Sequence, residues 1–171
     1  MLFRSFPSHD KGMGSRFGGL KQIEAVGTNQ ESIIDFSIFD AIKAGFTSLL
    51  LIIKREHEAL FEANLVHKIR PFIQVNYAYQ DIDYLTSTVL QADRIKPWGT
   101  THALLSCKDL IKGPFMICNA DDYYGPNAFK TMAPFLTNEV KPFHYAMMGY
   151  RLKNTTSEHG SVTRGVCTSV S

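Results

Sequence analysis

The stretch SLLLIIK, residues 48–54, is the part of the sequence that decides the fold class. Residues 49–53 are all apolar, without the alternation expected of a strand that has one solvated face. Strands with both faces buried have this pattern, and they are typical of parallel sheets covered by helices. The segment FMICNA, residues 115–120, is a second apolar run of strand length. We therefore predict that both segments are interior strands of a parallel sheet.

A helix is predicted immediately before the first of these strands. Ser32 and Asp35 have the spacing of a capping box, in which side chains satisfy main-chain N–H groups at the helix start. An isoleucine then recurs at every fourth position from Ile34 to Ile42, and Gly45 is placed to end the helix. This pattern indicates an amphipathic helix with its apolar stripe towards a core.

The unit of helix and strand repeats along the chain. Further helices are predicted over residues 56–69, over residues 101–111 and from residue 125 onward. Pro126 suits a first helical turn, whereas Pro134 should kink or end the helix. Further strands are predicted over residues 73–78 and 144–150. The alternation predicts an α/β fold of Rossmann-like type, an open, mostly parallel sheet with helices on both faces.

The composition is that of a soluble globular protein, with 44% hydrophobic and 20% charged residues. A net charge of +2 is too small to indicate nucleic acid or an anionic membrane as a partner. The three cysteines show no CxxC pair and fit a reducing compartment. The longest apolar run is too short to cross a bilayer, and the first residues do not resemble a secretory signal. We expect a cytoplasmic protein.

A glycine-rich segment, GMGSRFGGLK at residues 12–21, is the first candidate for phosphate binding. Glycines let main-chain N–H groups surround phosphate oxygens. Arg16 can bind phosphate through its planar fork, and Lys21 adds a movable charge. The segment is not a P-loop, since no GK[ST] ends it, and the third glycine of a dinucleotide fingerprint is missing. The alternative is an ordinary exposed loop.

Two further segments carry polar groups at places where an α/β sheet binds ligands. The segment NADDYYG, residues 119–125, follows a predicted strand, and its carboxylates suit Mg²⁺. Alternatively, Asp121 and Asp122 solvate a turn or cap the next helix. In KPWGTTHA, residues 96–103, Gly99 and Thr100 begin a helix and could contact a base or sugar through main-chain groups. The alternative there is a plain helix start.

Taken together, the three segments resemble the nucleotidyltransferase family that joins a sugar-1-phosphate to a nucleoside triphosphate. That family includes the glucose-1-phosphate uridylyl- and thymidylyltransferases, and the resemblance covers about residues 12–167. It implies a nucleotide held by Gly12, Gly14, Ser15, Gly99 and Thr100. It implies that Arg16 and Lys21 are the catalytic cations on the triphosphate. It also implies that Asp121 binds Mg²⁺ and that Gly165 lies near the sugar.

The sequence departs from the family pattern at several positions. Residues 9–11 (HDK) stand where the family has a strand ending in Leu-Ala-Ala, and Leu20 replaces the usual proline. Gln91 and Arg94 are candidates for a glutamine that the family often has before its second motif. We therefore expect an atypical segment without a strand at residues 1–11, followed by a partial nucleotidyltransferase domain at residues 12–171.

The resemblance implies transfer of a nucleotidyl group from an NTP to a sugar phosphate, with release of pyrophosphate. Two alternatives remain open. One is a non-catalytic fragment or paralogue that keeps weak nucleotide binding, and the other is a cytidylyltransferase with a different phosphate acceptor. Beyond Gly165 the family continues into a second lysine and a second metal-binding aspartate, whereas this sequence ends at Ser171. With the first strand also expected to be missing, we expect little or no turnover.

Overall fold

The computed structural model describes residues 2–4 (as main chain), 23–81, 99–156, 160–161 and 165–168. Its four described strands are β1 (Leu2–Arg4), β2 (Ser48–Ile53), β3 (Gln74–Tyr79) and β4 (Ile117–Asn119). They form one sheet in the order β3-β2-β1-β4, and every neighbouring pair is parallel. The predicted α/β, Rossmann-like architecture is therefore confirmed, with a small sheet.

The described α-helices alternate with these strands. They are α1 (Ile33–Lys43), α2 (Glu58–Phe61), α3 (His67–Ile69), α4 (Thr100–Leu105) and α5 (Pro126–Pro134). A 3₁₀ turn at Arg55–His57 leads into α2, and a π-helical stretch at Glu62–Val66 joins α2 to α3, so that these elements form one helical segment. That segment matches the helix predicted over residues 56–69.

Strand β2 is buried on both faces, as its sequence predicts. Residues Leu49 to Ile53 are each at most 7% exposed. One face of the strand packs in a cluster of Leu50, Ile52, Ala78, Ala103 and Cys107, which brings α4 onto the sheet. The intervening residues of β2 are buried on the opposite face. Helices therefore cover both faces of the sheet.

Helix α1 begins and ends as the sequence indicates. The main-chain N–H of Ser32 donates to the Asp35 carboxylate over 2.8 Å, completing the capping box. Ile34, Ile38 and Ala41 are buried. Gly45 follows the helix with φ +93°, a conformation that glycine adopts without steric cost. The start, the buried face and the end of α1 therefore all agree with the sequence pattern.

Helix α4 is shorter than the predicted 101–111 helix. It ends at Leu105 and continues as turns up to residue 110. The Ser106 hydroxyl donates to the Ala103 carbonyl over 2.7 Å, and Cys107 N–H bonds to Leu104 in a tighter i−3 pattern. Side-chain hydroxyls that bond back to the main chain compete with helix propagation. This local competition ends the α-helix early.

The expectation that no strand precedes the glycine-rich segment is wrong. Residues Leu2–Arg4 form a parallel strand between β2 and β4, with Phe3 opposite Leu51 on one side and Cys118 on the other. The strand is only three residues long, too short for its pattern to stand out among the polar residues that follow. A strand therefore lies in the interior of the sheet before the glycine-rich segment.

The chain divides into two compact units, Met1–Glu139 and Val140–Ser171. In the second unit, the strand predicted at residues 144–150 is absent, and no described strand pairs with those residues. Tyr145 and Met147 are 84% and 74% exposed, so the apolar alternation there does not face a core. A 3₁₀ turn at Leu152–Asn154 is the described helical element of that unit.

None of the described helices is long and apolar enough to cross a membrane.

Candidate functional site

The carboxyl edge of the parallel sheet gathers the residues that follow each strand. Gln80 follows β3, Lys54 follows β2, and Asp121 lies two residues beyond β4. Strand β1, which leads towards the glycine-rich segment, pairs directly with β4, with Arg4 opposite Asn119. Neighbouring strands lie about 4.8 Å apart. The sheet order therefore puts the Asp121 loop beside the strand that precedes residues 12–21.

The two adjacent aspartates after β4 have different surroundings. Asp122 accepts a hydrogen bond from Asn119 Nδ2 over 2.8 Å, so it belongs to the turn. Asp121 is exposed, and its carboxylate makes no hydrogen bond or ion pair with the described residues. Both oxygens of Asp121 are thus open to an external ligand, whereas Asp122 fits the alternative of a turn-forming residue.

The loop that carries Asp121 is anchored at its far end. Tyr124 accepts a hydrogen bond from the main-chain N–H of Asn119 over 2.9 Å. Its ring stacks edge-on against fully buried Phe129 of α5, with centroids 6.4 Å apart. Gly125 then turns the chain with φ +75° so that Pro126 opens α5 at the first helical position. The turn is therefore fixed between the sheet and this helix.

The start of α4 is the second described part of the site. Gly99 is its N-cap, with extended φ and ψ of −63° and −169°, and Thr100 is the first helical residue. Both residues are exposed. A Cβ placed on Gly99 would meet no described atom within 4 Å. Among the described residues, none occupies the space that a side chain at Gly99 would take.

Gln80 is a site residue that the sequence interpretation missed. It is only 9% exposed, and its Nε2 lies 3.4 Å from the Gly99 carbonyl oxygen and 3.3 Å from His102 Nδ1. A carbonyl oxygen can only accept, so Gln80 Nε2 donates to it. The amide thus ties the carboxyl end of β3 to the start of α4. A glutamine directly after a strand was the available signal; the suggested Gln91 and Arg94 lie outside the described residues.

Two buried cysteines lie beside these elements and are not nucleophiles. Burial raises the pKa of Cys118, in β4, to about 12, and the Asp122 charge adds to that rise. Burial likewise raises the pKa of Cys107, after α4, to about 11. Both thiols stay protonated at neutral pH, and a thiol is a much poorer nucleophile than a thiolate. Their role is packing, as the sequence suggests.

Six of the predicted site residues are not among those described above. Five of them lie outside the described residues: Gly12, Gly14, Ser15, Arg16 and Lys21. Their convergence with Asp121 stays a prediction. Gly165 belongs to the second unit, where it is exposed and a Cβ would meet no described atom within 4 Å.

The described side chains include no ready-made metal cage. Within the described ranges, no group of three or more His, Cys, Asp or Glu side chains is arranged to hold a metal ion. Mg²⁺, however, is commonly held by one or two carboxylates together with substrate phosphates and water. A single open carboxylate such as Asp121 fits that mode of binding.

A crystal structure of UDP-glucose pyrophosphorylase complexed with UDP-glucose has a similar fold. The TM-score is 0.50 and the sequence identity 19%, and the match covers 80% of this chain and 52% of that chain. At this identity the likeness shows the fold. The present chain spans about half the length of that protein, 52%. No curated protein matches the sequence.

The sequence also matches a protein family described as Nucleotidyl transferase over residues 18–170, which is most of the chain. The matched residues include the start of α4, with its main-chain groups, and the loop after β4, with the Asp121 carboxylate. These two segments make up the described part of the candidate site. The chain therefore belongs to the nucleotidyl transferase family.

Proposed function

We propose that this chain binds an NTP at the carboxyl edge of its sheet and transfers the nucleotidyl group to a sugar-1-phosphate. The observation that carries the proposal is the open Asp121 carboxylate, two residues beyond β4 and beside the strand that precedes the glycine-rich segment. Family membership supports nucleotidyl transfer in general. The sugar-phosphate acceptor is supported by the resemblance of the three motifs and by the UDP-glucose named for the similar structure.

The described residues suggest where the two ends of the nucleotide bind. The start of α4 offers Gly99 and Thr100, whose exposed main chain can approach a base or ribose. Asp121 lies at the same carboxyl ends but beyond the other outer strand, because β3 and β4 are the two outer described strands of the sheet. Three strand spacings separate β3 from β4, about 14 Å. An extended nucleoside triphosphate can span that distance, with its base near α4 and its phosphates near β4.

Bound at Asp121, Mg²⁺ would supply positive charge that stabilises the phosphate oxygens during transfer. Arg16 and Lys21 would hold and neutralise the triphosphate from the glycine-rich segment. An oxygen of the sugar phosphate then forms a bond to the α-phosphorus. The bond from that phosphorus to the bridging oxygen breaks, and pyrophosphate leaves. The protein's contribution is positioning and charge rather than covalent chemistry.

Pyrophosphate release tests this proposal. The chain is incubated with Mg²⁺, UTP and glucose-1-phosphate first, and then with the other NTPs and sugar phosphates in turn. We expect one pair to give release that depends on both substrates and exceeds the background of Asp121→Asn. Nucleotide binding with no release above that background would instead identify a non-catalytic paralogue. Release with an alcohol phosphate but no sugar phosphate would identify the cytidylyltransferase-like alternative.

One reason for expecting little turnover no longer holds. That expectation depended partly on the absence of a strand before residues 12–21, and β1 is present in the centre of the sheet. Little or no turnover stays a prediction, and the same pyrophosphate measurement decides between it and the release expected above, since it reports rate as well as substrate dependence.

A further inference from the structure

The loop after β4 contains two hydrogen bonds that converge on one residue. Asn119, the last residue of β4, donates its main-chain N–H to the Tyr124 hydroxyl and its side-chain Nδ2 to the Asp122 carboxylate, over 2.9 and 2.8 Å. Both bonds bracket Asp121, which lies between the residues they join. The six-residue turn from Asn119 to Tyr124 is thereby closed on itself.

The bond to Tyr124 differs from ordinary strand pairing. A main-chain N–H at the end of a strand usually pairs with a neighbouring strand or with water. Here a phenolic oxygen occupies that role, and the phenol ring is held by Phe129, which is fully buried and itself stacks edge-on against Phe46 at 6.3 Å. The strand end is therefore connected through one side chain to the packed core.

Within this closed turn, Asp121, Asp122 and Tyr123 are exposed, and Asp122 is held by its bond from Asn119. Ala120, just before them, is 1% exposed, whereas Tyr123 is 62% exposed and Asp121 is exposed as well. A buried residue on one side and the anchored Tyr124 on the other limit how far the Asp121 main chain can move. The turn therefore presents the Asp121 carboxylate from a fixed base.

We propose that Tyr124 is a positioning residue for Asp121, holding the turn so that the carboxylate meets a phosphate-bound divalent cation in one orientation. This inference rests on the proposed function. Mg²⁺ tolerates little departure from octahedral geometry, so a ligand on a loosened turn binds it less well. Outer residues that orient metal ligands are commonly worth about tenfold to a hundredfold in metal affinity.

Tyr124→Phe is the direct test, because it removes the hydroxyl and keeps the ring against Phe129. Mn²⁺ with UTP serves as the probe, and free Mn²⁺ is followed by electron paramagnetic resonance on the full 171-residue chain. We expect the affinity for Mn²⁺ to fall about tenfold. Hydrogen exchange of the Asn119 amide should also accelerate, which reports the lost bond independently of any ligand.

Tyr123→Phe is the matched control. It removes the same hydroxyl one residue away, from a side chain that makes a ring contact with Phe36 and has no described hydrogen bond. Its Mn²⁺ affinity should stay within about twofold of the unaltered chain, given the weak effect of most exposed substitutions. If Tyr124→Phe does not fold, Asn119→Ala removes the second bond of the turn and should weaken Mn²⁺ binding in the same direction.

Asp121→Asn distinguishes a failure of the proposed function from a failure of the positioning role of Tyr124. If it leaves Mn²⁺ binding unchanged, or if the unaltered chain does not bind Mn²⁺ with UTP, the proposed function is wrong and the inference falls with it. If Asp121→Asn abolishes binding while Tyr124→Phe and Asn119→Ala bind like the unaltered chain, the site stands and the positioning role of Tyr124 is overturned.

Discussion

The side-chain amide of Gln80 donates a hydrogen bond to the main-chain carbonyl oxygen of Gly99 across 3.4 Å. These residues are far apart in sequence, at the end of β3 and at the start of α4. The bond fixes the first turn of the helix to the carboxyl edge of the sheet, next to the surface on which we place the nucleotide. Several measurable consequences depend on this link and on the loop after β4.

Replacing Gln80 by Glu should weaken both folding and nucleotide binding. The change keeps the shape of the side chain but puts a carboxylate oxygen opposite the Gly99 carbonyl oxygen. Neither oxygen carries a hydrogen to donate, so the hydrogen bond is lost. We expect the free energy of unfolding to fall by about 1–3 kcal/mol, as for other buried polar groups that lose a partner. Chemical denaturation of Gln80→Glu measures the loss. Gln74→Glu, on the exposed face of the same strand, is the control and should be nearly neutral. An equal loss in both variants would contradict the structural role of Gln80.

Gly99→Ala should reduce nucleotide affinity with only a small loss of stability. The added methyl group meets no described atom within 4 Å, and the φ of −63° is open to other residues. Because alanine is a poorer N-cap than glycine, the free energy of unfolding should fall, but by no more than about 1 kcal/mol. If a base or ribose lies against this helix start, the methyl group occupies its place and weakens binding. Calorimetric titration with UTP measures this. Unchanged affinity would remove the start of α4 from the site.

Thiol labelling should separate Cys167 from the other two cysteines. Cys167 is exposed, whereas Cys107 and Cys118 are buried, and all three thiols are free. At pH 8 a disulfide reagent should modify Cys167 rapidly and the buried pair only as the chain unfolds. Rapid labelling of Cys118 in the folded chain would show that the β4 region is open.

The same buried thiols predict a loss of stability in alkali. Their pKa values rise from 9.0 to about 11 for Cys107 and about 12 for Cys118 when the chain folds. Between pH 9 and the folded values, the unfolded chain has lost these protons and the folded chain keeps them. The free energy of unfolding must therefore decrease as pH rises through that window. Denaturation from pH 8 to 11 measures this, and Cys118→Ala should show a shallower decrease.

Much of the fold could be predicted because its signals are local. The apolar run of β2 and the capping box of Ser32 and Asp35 each specify their element within a few residues, and both are confirmed. Strand β1 escaped prediction because a three-residue strand is defined by the two neighbours it pairs with. The prediction of a strand at residues 144–150 was wrong, because an apolar pattern alone does not form a strand and no described strand pairs with these residues.

The candidate site was predictable only in part. The position of Asp121 after an apolar strand could be predicted, and its metal-binding role stays a prediction. The structure distinguishes it from Asp122 by a hydrogen bond that the sequence could not show. Gln80 was missed because its significance lies in a contact with Gly99 across the sheet edge. Such long-range contacts arise from the topology of the chain rather than from any local motif.

The central claim, that Asp121 holds the metal of a bound NTP, is tested most directly by calorimetric titration of UTP with and without Mg²⁺. We expect the unaltered chain to bind UTP more tightly with Mg²⁺ and Asp121→Asn to lose that Mg²⁺-dependent gain. Asp109→Asn, the same charge change at an exposed residue after α4, should bind like the unaltered chain. If Asp121→Asn keeps the full Mg²⁺-dependent affinity, Asp121 is not the metal ligand and the proposed site is wrong.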